Sequence, residues 1–528
     1  MKLPGVEIRL LEELPDKPLA QINRGIEKES LRVTPAGRLS HLPHPVALGS
    51  TLTHPCITTD YSEALLEFIT PPSTSVFEVL KTLENIHRFT CQHLGEELLW
   101  AHSMPCMLGD DDDVPVGFYG TSNIGKMKTF YRVGLGYRYG RLMQTIAGLH
   151  YNFSLPDRFW ELLLRTDQST LSLQDYKTER YLGLIRNFRR HFWLLIYLFG
   201  SSPAVCRSFV RNRQHQLIPV NGDDHSLHTP YATSLRMGDL GYQSKAQQEL
   251  QVCYNSLESY IRTLREALTQ PYPTYAAIGT KDENGNYLQL NTNLLQIENE
   301  FYSTIRPKRT THSAEAPLLA LQERGIEYIE VRCLDLNPFS PIGITAEQVH
   351  FIDVFLLHCL FSESPECNDD EYVSMQQNQF LTVYSGRDPQ LQLFAKDGPR
   401  PLRSWAKTLL EEMQPVAQLL DAQQQTNVHE KAFETFSPWI DDPNQTYSGR
   451  IINALKSSGT SYFQFAMAQA RQHQQYFLDR PLDQTERRKF EAMSTQSLLE
   501  QRQLEQEDTL NFDDFLRHYF SQYNQLGL

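Results

Sequence analysis

The stretch Gly25-Ile26-Glu27-Lys28-Glu29-Ser30-Leu31-Arg32-Val33 decides the fold. Alternate residues of a strand point to opposite faces, so Glu27 and Glu29 stand together on one of them. Four further segments follow the same rule. In Ala64-Leu65-Leu66-Glu67-Phe68-Ile69 a single carboxylate, Glu67, interrupts an apolar run. In Gly148-Leu149-His150-Tyr151-Asn152-Phe153-Ser154-Leu155, the residues His150, Asn152 and Ser154 alternate with large apolar ones. Glu330 and Arg332 oppose Ile329, Val331 and Cys333 in 327–334. In 294–302, Gln296, Glu298, Glu300 and Tyr302 oppose Leu295 and Ile297. Five strands, each with one apolar face and one face of acids, amides, His or Arg, predict an antiparallel sheet.

A polar sheet face commonly lies in water. This one is poor in Lys, Thr and Ser and rich in Glu. Glu67 also sits among residues that shun water, so its carboxylate should be paired or bound to a metal. Carboxylates with one His on a single face suit the hard cations Mg²⁺ or Mn²⁺ better than zinc. Arg332, two residues from Glu330, projects into the same space as a planar cation matched to a carboxylate or a transferring phosphoryl group. The pattern alone leads to a metal-dependent enzyme of phosphoryl transfer or hydrolysis.

Composition narrows the partners. Across 528 residues, 49 Lys and Arg face 63 Asp and Glu, a net charge of −14. That balance argues against nucleic acid, which wants a basic face, and leaves small anions open if cations intervene. Hydrophobic residues at 40% and aromatics at 11% suffice for a sizeable core. No targeting signal and no membrane-length apolar run is visible. The eight cysteines contain no CxxC pair and fit free thiols in a reducing compartment. A cytoplasmic monomer with no membrane or nucleic-acid partner is expected. Without repeats or linkers, the chain reads as one catalytic domain over 1–528. Its strand-bearing core covers about 20–345, and a mainly helical part covers about 346–528. The apolar run 192–199 reads as a buried helix, and Asp110–Asp113 as a solvated loop without calcium-loop spacing.

Rival motifs fall short. Gly120 to Lys126 keeps P-loop spacing, but Met127 stands where Ser or Thr should follow, and no strand precedes it. Gly134-x-Gly136 also lacks a preceding strand. Cys106 and Cys333 have no His partner in view and read as structural thiols. A glycoside hydrolase would need two carboxylates such as Glu67 and Glu330, not so many. A binding protein without catalysis would require a decayed ligand set.

Segments 25–32, 58–71, 142–154, 230–236, 294–302, 305–309 and 325–332 together resemble the bacterial glutamate–cysteine ligase family, over about residues 20–345. The resemblance implies the first step of glutathione synthesis. ATP would phosphorylate the γ-carboxylate of L-glutamate, and the amine of L-cysteine would attack the acyl phosphate. It implies an α+β fold similar to glutamine synthetase and the guanido kinases: a curved, mainly antiparallel sheet forming an active-site funnel, with helices outside. Glu27, Glu29, Asp60, Glu67, His150 and Glu330 resemble the magnesium ligands. Arg332 would stabilise the phosphoryl group and Arg236 clamp the glutamate α-carboxylate, two roles that could be exchanged. Tyr61, Tyr131, Tyr242 and Tyr302 would line the cysteine pocket, with Tyr61 where the family would carry Phe. Arg132 would meet nucleotide phosphates.

Overall fold

The structure is a computed structural model that describes residues 2–3, 6–7, 17–211, 213–241, 245–248 and 250–527. Six strands make its main sheet: Asn23–Val33 (β1), Ile57–Thr59 (β2), Leu65–Ile69 (β3), Leu149–Ser154 (β4), Ile305–Lys308 (β5) and Tyr328–Leu334 (β6). They run in the order β5-β6-β4-β1-β3-β2, every neighbouring pair antiparallel, and Leu98–Leu99 pairs with the far end of β1. β1 is the axis, because its 11 residues are long enough to pair with three other strands.

The helices used below are Val76–Cys91 (α1), Asn123–Tyr139 (α2), Leu173–His191 (α3), Trp193–Phe199 (α4), Ala346–Phe361 (α5), Leu402–Gln424 (α6), Val428–Phe436 (α7), Tyr462–Leu478 (α8), Gln484–Glu507 (α9) and Phe512–Ser521 (α10). α4 is the expected buried helix, with all seven residues in the core. α5 packs behind the sheet and is buried on almost every side, and a capping box of Thr345 and Gln348 fixes its start. A hairpin, Gln392–Ala395 with Gly398–Pro401, interrupts the otherwise helical C-terminal part. Asp110–Asp113 is an exposed turn, as expected of a solvated loop.

Three expectations need correction. The reverse face of β1 is not apolar: it carries Arg24, Lys28 and Arg32, all buried. Arg24 Nε donates to Asp353 of α5 at 2.7 Å, and Arg32 Nη1 to Glu97 at 2.9 Å. Lys28 Nζ donates to Ser30 Oγ at 2.6 Å, and burial lowers its pKa to about 7. Segment 294–302 is not a strand but an irregular stretch with a single 3₁₀ turn at Glu298–Glu300. Its acids are engaged inward, Glu300 by Arg138 at 2.9 Å and Glu298 by the Tyr523 hydroxyl at 2.8 Å. The cysteines are not all free thiols, for Cys106 and Cys206 form a disulfide across 100 residues of sequence, a separation that leaves no spacing signal. Cys333 is free and buried, as expected of a structural thiol.

Candidate active site

Strand register assembles the acids. In the β1–β4 ladder Glu27 stands opposite His150, and in the β1–β3 ladder Glu29 stands opposite Glu67. Partners in an antiparallel ladder share a face, so four residues from three strands converge on one patch. β6 adds Glu330, whose Oε1 lies 3.6 Å from His150 Nδ1. The same imidazole nitrogen is 3.3 Å from Glu27 Oε2, and Nε2 is 3.9 Å from Glu29 Oε1. Two triads result, Glu27–His150–Glu330 and Glu29–Glu67–His150, each with donor atoms within 4.8 Å of one another.

The patch floors a cavity of about 630 Å³. Twelve of the thirteen residues singled out from the sequence line it: Glu27, Glu29, Asp60, Tyr61, Glu67, Tyr131, Arg132, His150, Arg236, Tyr302, Glu330 and Arg332. Tyr242 lies outside the described residues.

Burial and mutual repulsion make the floor short of positive charge. Burial, then Glu27, Asp60 and Glu29, push the Glu67 carboxyl well above its usual range. Burial and Asp60 raise Glu29 to about 8. Glu330 goes the other way: burial pushes it up, but Lys308, Arg332 and His150 hold it well below the carboxylate range. His150 is lowered by burial and by Arg332, which keeps the imidazole neutral and its lone pair available to a metal. Acids crowded around a neutral imidazole suit a divalent cation, which relieves the repulsion that holds protons on Glu29 and Glu67.

Cations stand directly beside these acids. Arg332 Nη1 donates to Glu330 at 3.1 Å, and Arg236 Nη2 to the Arg332 carbonyl at 3.0 Å. Arg236 lies so close to Gly148 that a Cβ there would strike its guanidinium, which explains glycine at the start of β4. Arg132 stacks over Tyr119, 4.3 Å from the ring centre, and donates to the Asp60 carbonyl. α2 supplies Tyr131 and Arg132 to the wall; its N-cap is Ser122, in the segment with P-loop-like spacing. Gly136 faces Tyr61, whose Oη would lie 2.7 Å from a Cβ added there. That hydroxyl is buried with no hydrogen-bond partner among the described residues.

Sequence reasoning missed Lys308 and Arg306. Lys308 Nζ lies 3.5 Å from Glu330 Oε2, and Arg306 stands opposite Glu330 in the β5–β6 register. The signal was the alternation Arg306-x-Lys308, hidden by Pro307, a residue that argues against a strand.

Comparison with known proteins bears on this geometry. A family model described as glutamate-cysteine ligase matches residues 8–382. A glutamate–cysteine ligase of Saccharophagus degradans is 53% identical over 507 residues, 96% of this chain and 95% of that one. One from Alcanivorax borkumensis is 50% identical, covering 95% and 96%. Among solved structures, the glutamate–cysteine ligase of Francisella tularensis in complex with AMP superposes with a TM-score of 0.88 at 35% identity, covering 96% of this chain and 98% of that one. A bifunctional glutathione synthetase of Pasteurella multocida shares the fold, with a TM-score of 0.68 at 24% identity over 90% of this chain and 56% of its own.

Proposed function

The chain belongs to the glutamate–cysteine ligase family, and from that premise we propose how its cavity carries out the reaction. The activity is ATP-dependent ligation of L-glutamate to L-cysteine, giving γ-glutamylcysteine, ADP and phosphate. The observation that carries the site assignment is the strand register, Glu27 opposite His150 and Glu29 opposite Glu67, with Glu330 alongside.

Glu27, His150 and Glu330 would hold one magnesium ion, and Glu29 and Glu67, beside the same imidazole, a second, with Asp60 on the cavity wall to complete its set; manganese fits the same donors. Magnesium bound there would supply positive charge that offsets both the carboxylates and the phosphates of the nucleotide. Arg236 receives the glutamate α-carboxylate. That aims the γ-carboxylate oxygen at the terminal phosphorus of ATP, where an O–P bond forms as the bond to ADP breaks. Arg332, tied to Glu330, stays charged because Glu330, Glu29 and Glu27 outweigh its burial. It meets the phosphoryl oxygens as negative charge develops on them. Arg132 takes nucleotide phosphates, and the exposed end of Lys308 adds a second cation beside Glu330.

Tyr61, Tyr131, Tyr242 and Tyr302 receive cysteine. Its amine nitrogen attacks the γ-carbonyl carbon, the C–O bond to phosphate breaks, and the ammonium proton leaves to solvent. An aromatic wall also keeps water from hydrolysing the acyl phosphate. The antiparallel sheet under the cavity supports a curved, glutamine synthetase-like funnel, and a core continuous from Leu19 to Leu526 supports one catalytic domain over 1–528. A cytoplasmic location is favoured by the six free cysteines and opposed by the Cys106–Cys206 disulfide, and we adopt it on the six; no helix among the described residues is long and apolar enough to cross a membrane. We also take the protein to be a monomer.

Phosphate release with ATP, Mg²⁺, glutamate and cysteine tests the activity. It should require all four, and release that is indifferent to cysteine would overturn the reading.

A further inference from the structure

On the reverse side of the sheet, three side chains meet that the ligase reaction does not use. His350 and Asp353 lie one helical turn apart on α5, and His429 lies in the first turn of α7. One donor atom from each falls within 4.8 Å of the other two. We propose that His350, Asp353 and His429 form a second metal site, for a zinc-class transition ion with water as fourth ligand.

The chemistry of His429 is fixed by Asp421. Asp421 Oδ1 lies 2.8 Å from His429 Nδ1, and the same carboxylate accepts the backbone N–H of His429 and Glu430 and the Thr426 hydroxyl. A carboxylate holding Nδ1–H leaves the lone pair on Nε2, the carboxylate–histidine arrangement that orients a metal ligand. His429 is fully buried, and its Nε2 has no hydrogen-bond partner among the described residues. The buried Nδ1 of His350 is likewise without one. Two neighbouring buried imidazole nitrogens without a hydrogen-bond partner are costly as packing and useful as ligands.

Asp353 completes the set. Its oxygens accept Tyr151 Oη and Arg24 Nε, both at 2.7 Å, leaving a lone pair on each. Nearby charge comes from Asp353 and Asp421 against Arg24, so the pocket carries one net negative charge before an ion enters. The rings of His350 and His429 meet edge-on at 4.9 Å between centres. Ligand atoms around tetrahedral zinc stand roughly 3.4 Å apart, so donors that lie within 4.8 Å of one another must close by up to about 1.4 Å, through side-chain rotation. His350 is half-buried, so an ion would enter from its side, while Asp353 and His429 are fully buried. Two imidazoles favour zinc, cobalt or nickel over the magnesium suited to the carboxylate floor across the sheet.

Cobalt(II) distinguishes the two places. Added at one equivalent to chelator-stripped protein, it should give the intense visible absorption of a four-coordinate ion, displaced by zinc. Six-coordinate cobalt on an oxygen-rich floor absorbs far more weakly. The band should persist in Glu330→Gln and vanish in His350→Ala, with His350→Gln making the same test should the alanine variant misfold. Zinc should raise the melting temperature of the stripped wild type but not of the His350 variants. No intense band in the wild type, or an unchanged band in a His350 variant, would overturn the proposal and leave the pair as packing.

Discussion

Glu330 is shared between an imidazole, a guanidinium and an ammonium: His150 at 3.6 Å, Arg332 at 3.1 Å and Lys308 at 3.5 Å. Glu330→Gln keeps its shape and removes the charge that three partners answer. Turnover should fall by about 10²–10³-fold, the scale of losing one electrostatic contact in a buried site, while the far-UV spectrum stays native. Unchanged kcat would take Glu330 out of the metal set. Tyr302 accepts a hydrogen bond from Gln144 at 3.2 Å on the wall of the cavity. Tyr302→Ala should raise KM for cysteine several-fold more than KM for glutamate, read from initial rates with each substrate varied in turn; equal effects would reassign the residue. The acids could be read from sequence because period two is strict in β4 and β6 and sets Glu27 and Glu29 two apart in β1. Lys308 could not, since Pro307 breaks the local appearance of a strand that the sheet nevertheless enforces.

At the scale of elements, β1 carries anions toward the cavity and cations toward the helices. Arg24 and Asp353 tie it to α5, and both are essentially inaccessible to water. Asp353→Asn leaves a buried guanidinium without its counter-charge and should cost about 3–5 kcal/mol, measured by urea unfolding. A loss under 1 kcal/mol would mean that water reaches Arg24. Alternation in the sequence identified four of the five anticipated strands. It failed at 294–302 because polar residues two apart also arise where each acid is taken by a distant partner. Arg138, which pairs with Glu300, is 162 residues away, and nothing local reveals it. The reverse face of β1 escaped notice for the same reason, since Glu97 and Asp353 become its neighbours only on folding.

Across the whole molecule, many histidines are buried in neutral form. Burial lowers His44, His102 and His191 to about 3, and His54, His358 and His473 to about 4. The unfolded chain would protonate them near 6.5, so between about 4 and 6.5 it binds more protons and stability must fall as pH falls. Glu29 and Glu67 act oppositely in that window but are outnumbered. Melting temperature should therefore drop steeply from pH 6.5 to 4.5, and a flat profile would contradict the buried histidines. The far end of the chain has a different reach. Glu505 accepts the N–H of Thr121 at 2.8 Å, and Asp508 accepts that of Asn123 at 2.5 Å, so the segment from α9 to α10 caps the start of α2. α2 carries Tyr131 and Arg132. During synthesis on the ribosome, then, the acid floor is complete long before this wall is anchored. A nascent chain that phosphorylated glutamate would do so in an open cleft, losing the acyl phosphate to water. Closure of the cavity around an acyl phosphate therefore waits on the docking of Glu505 and Asp508 against the start of α2.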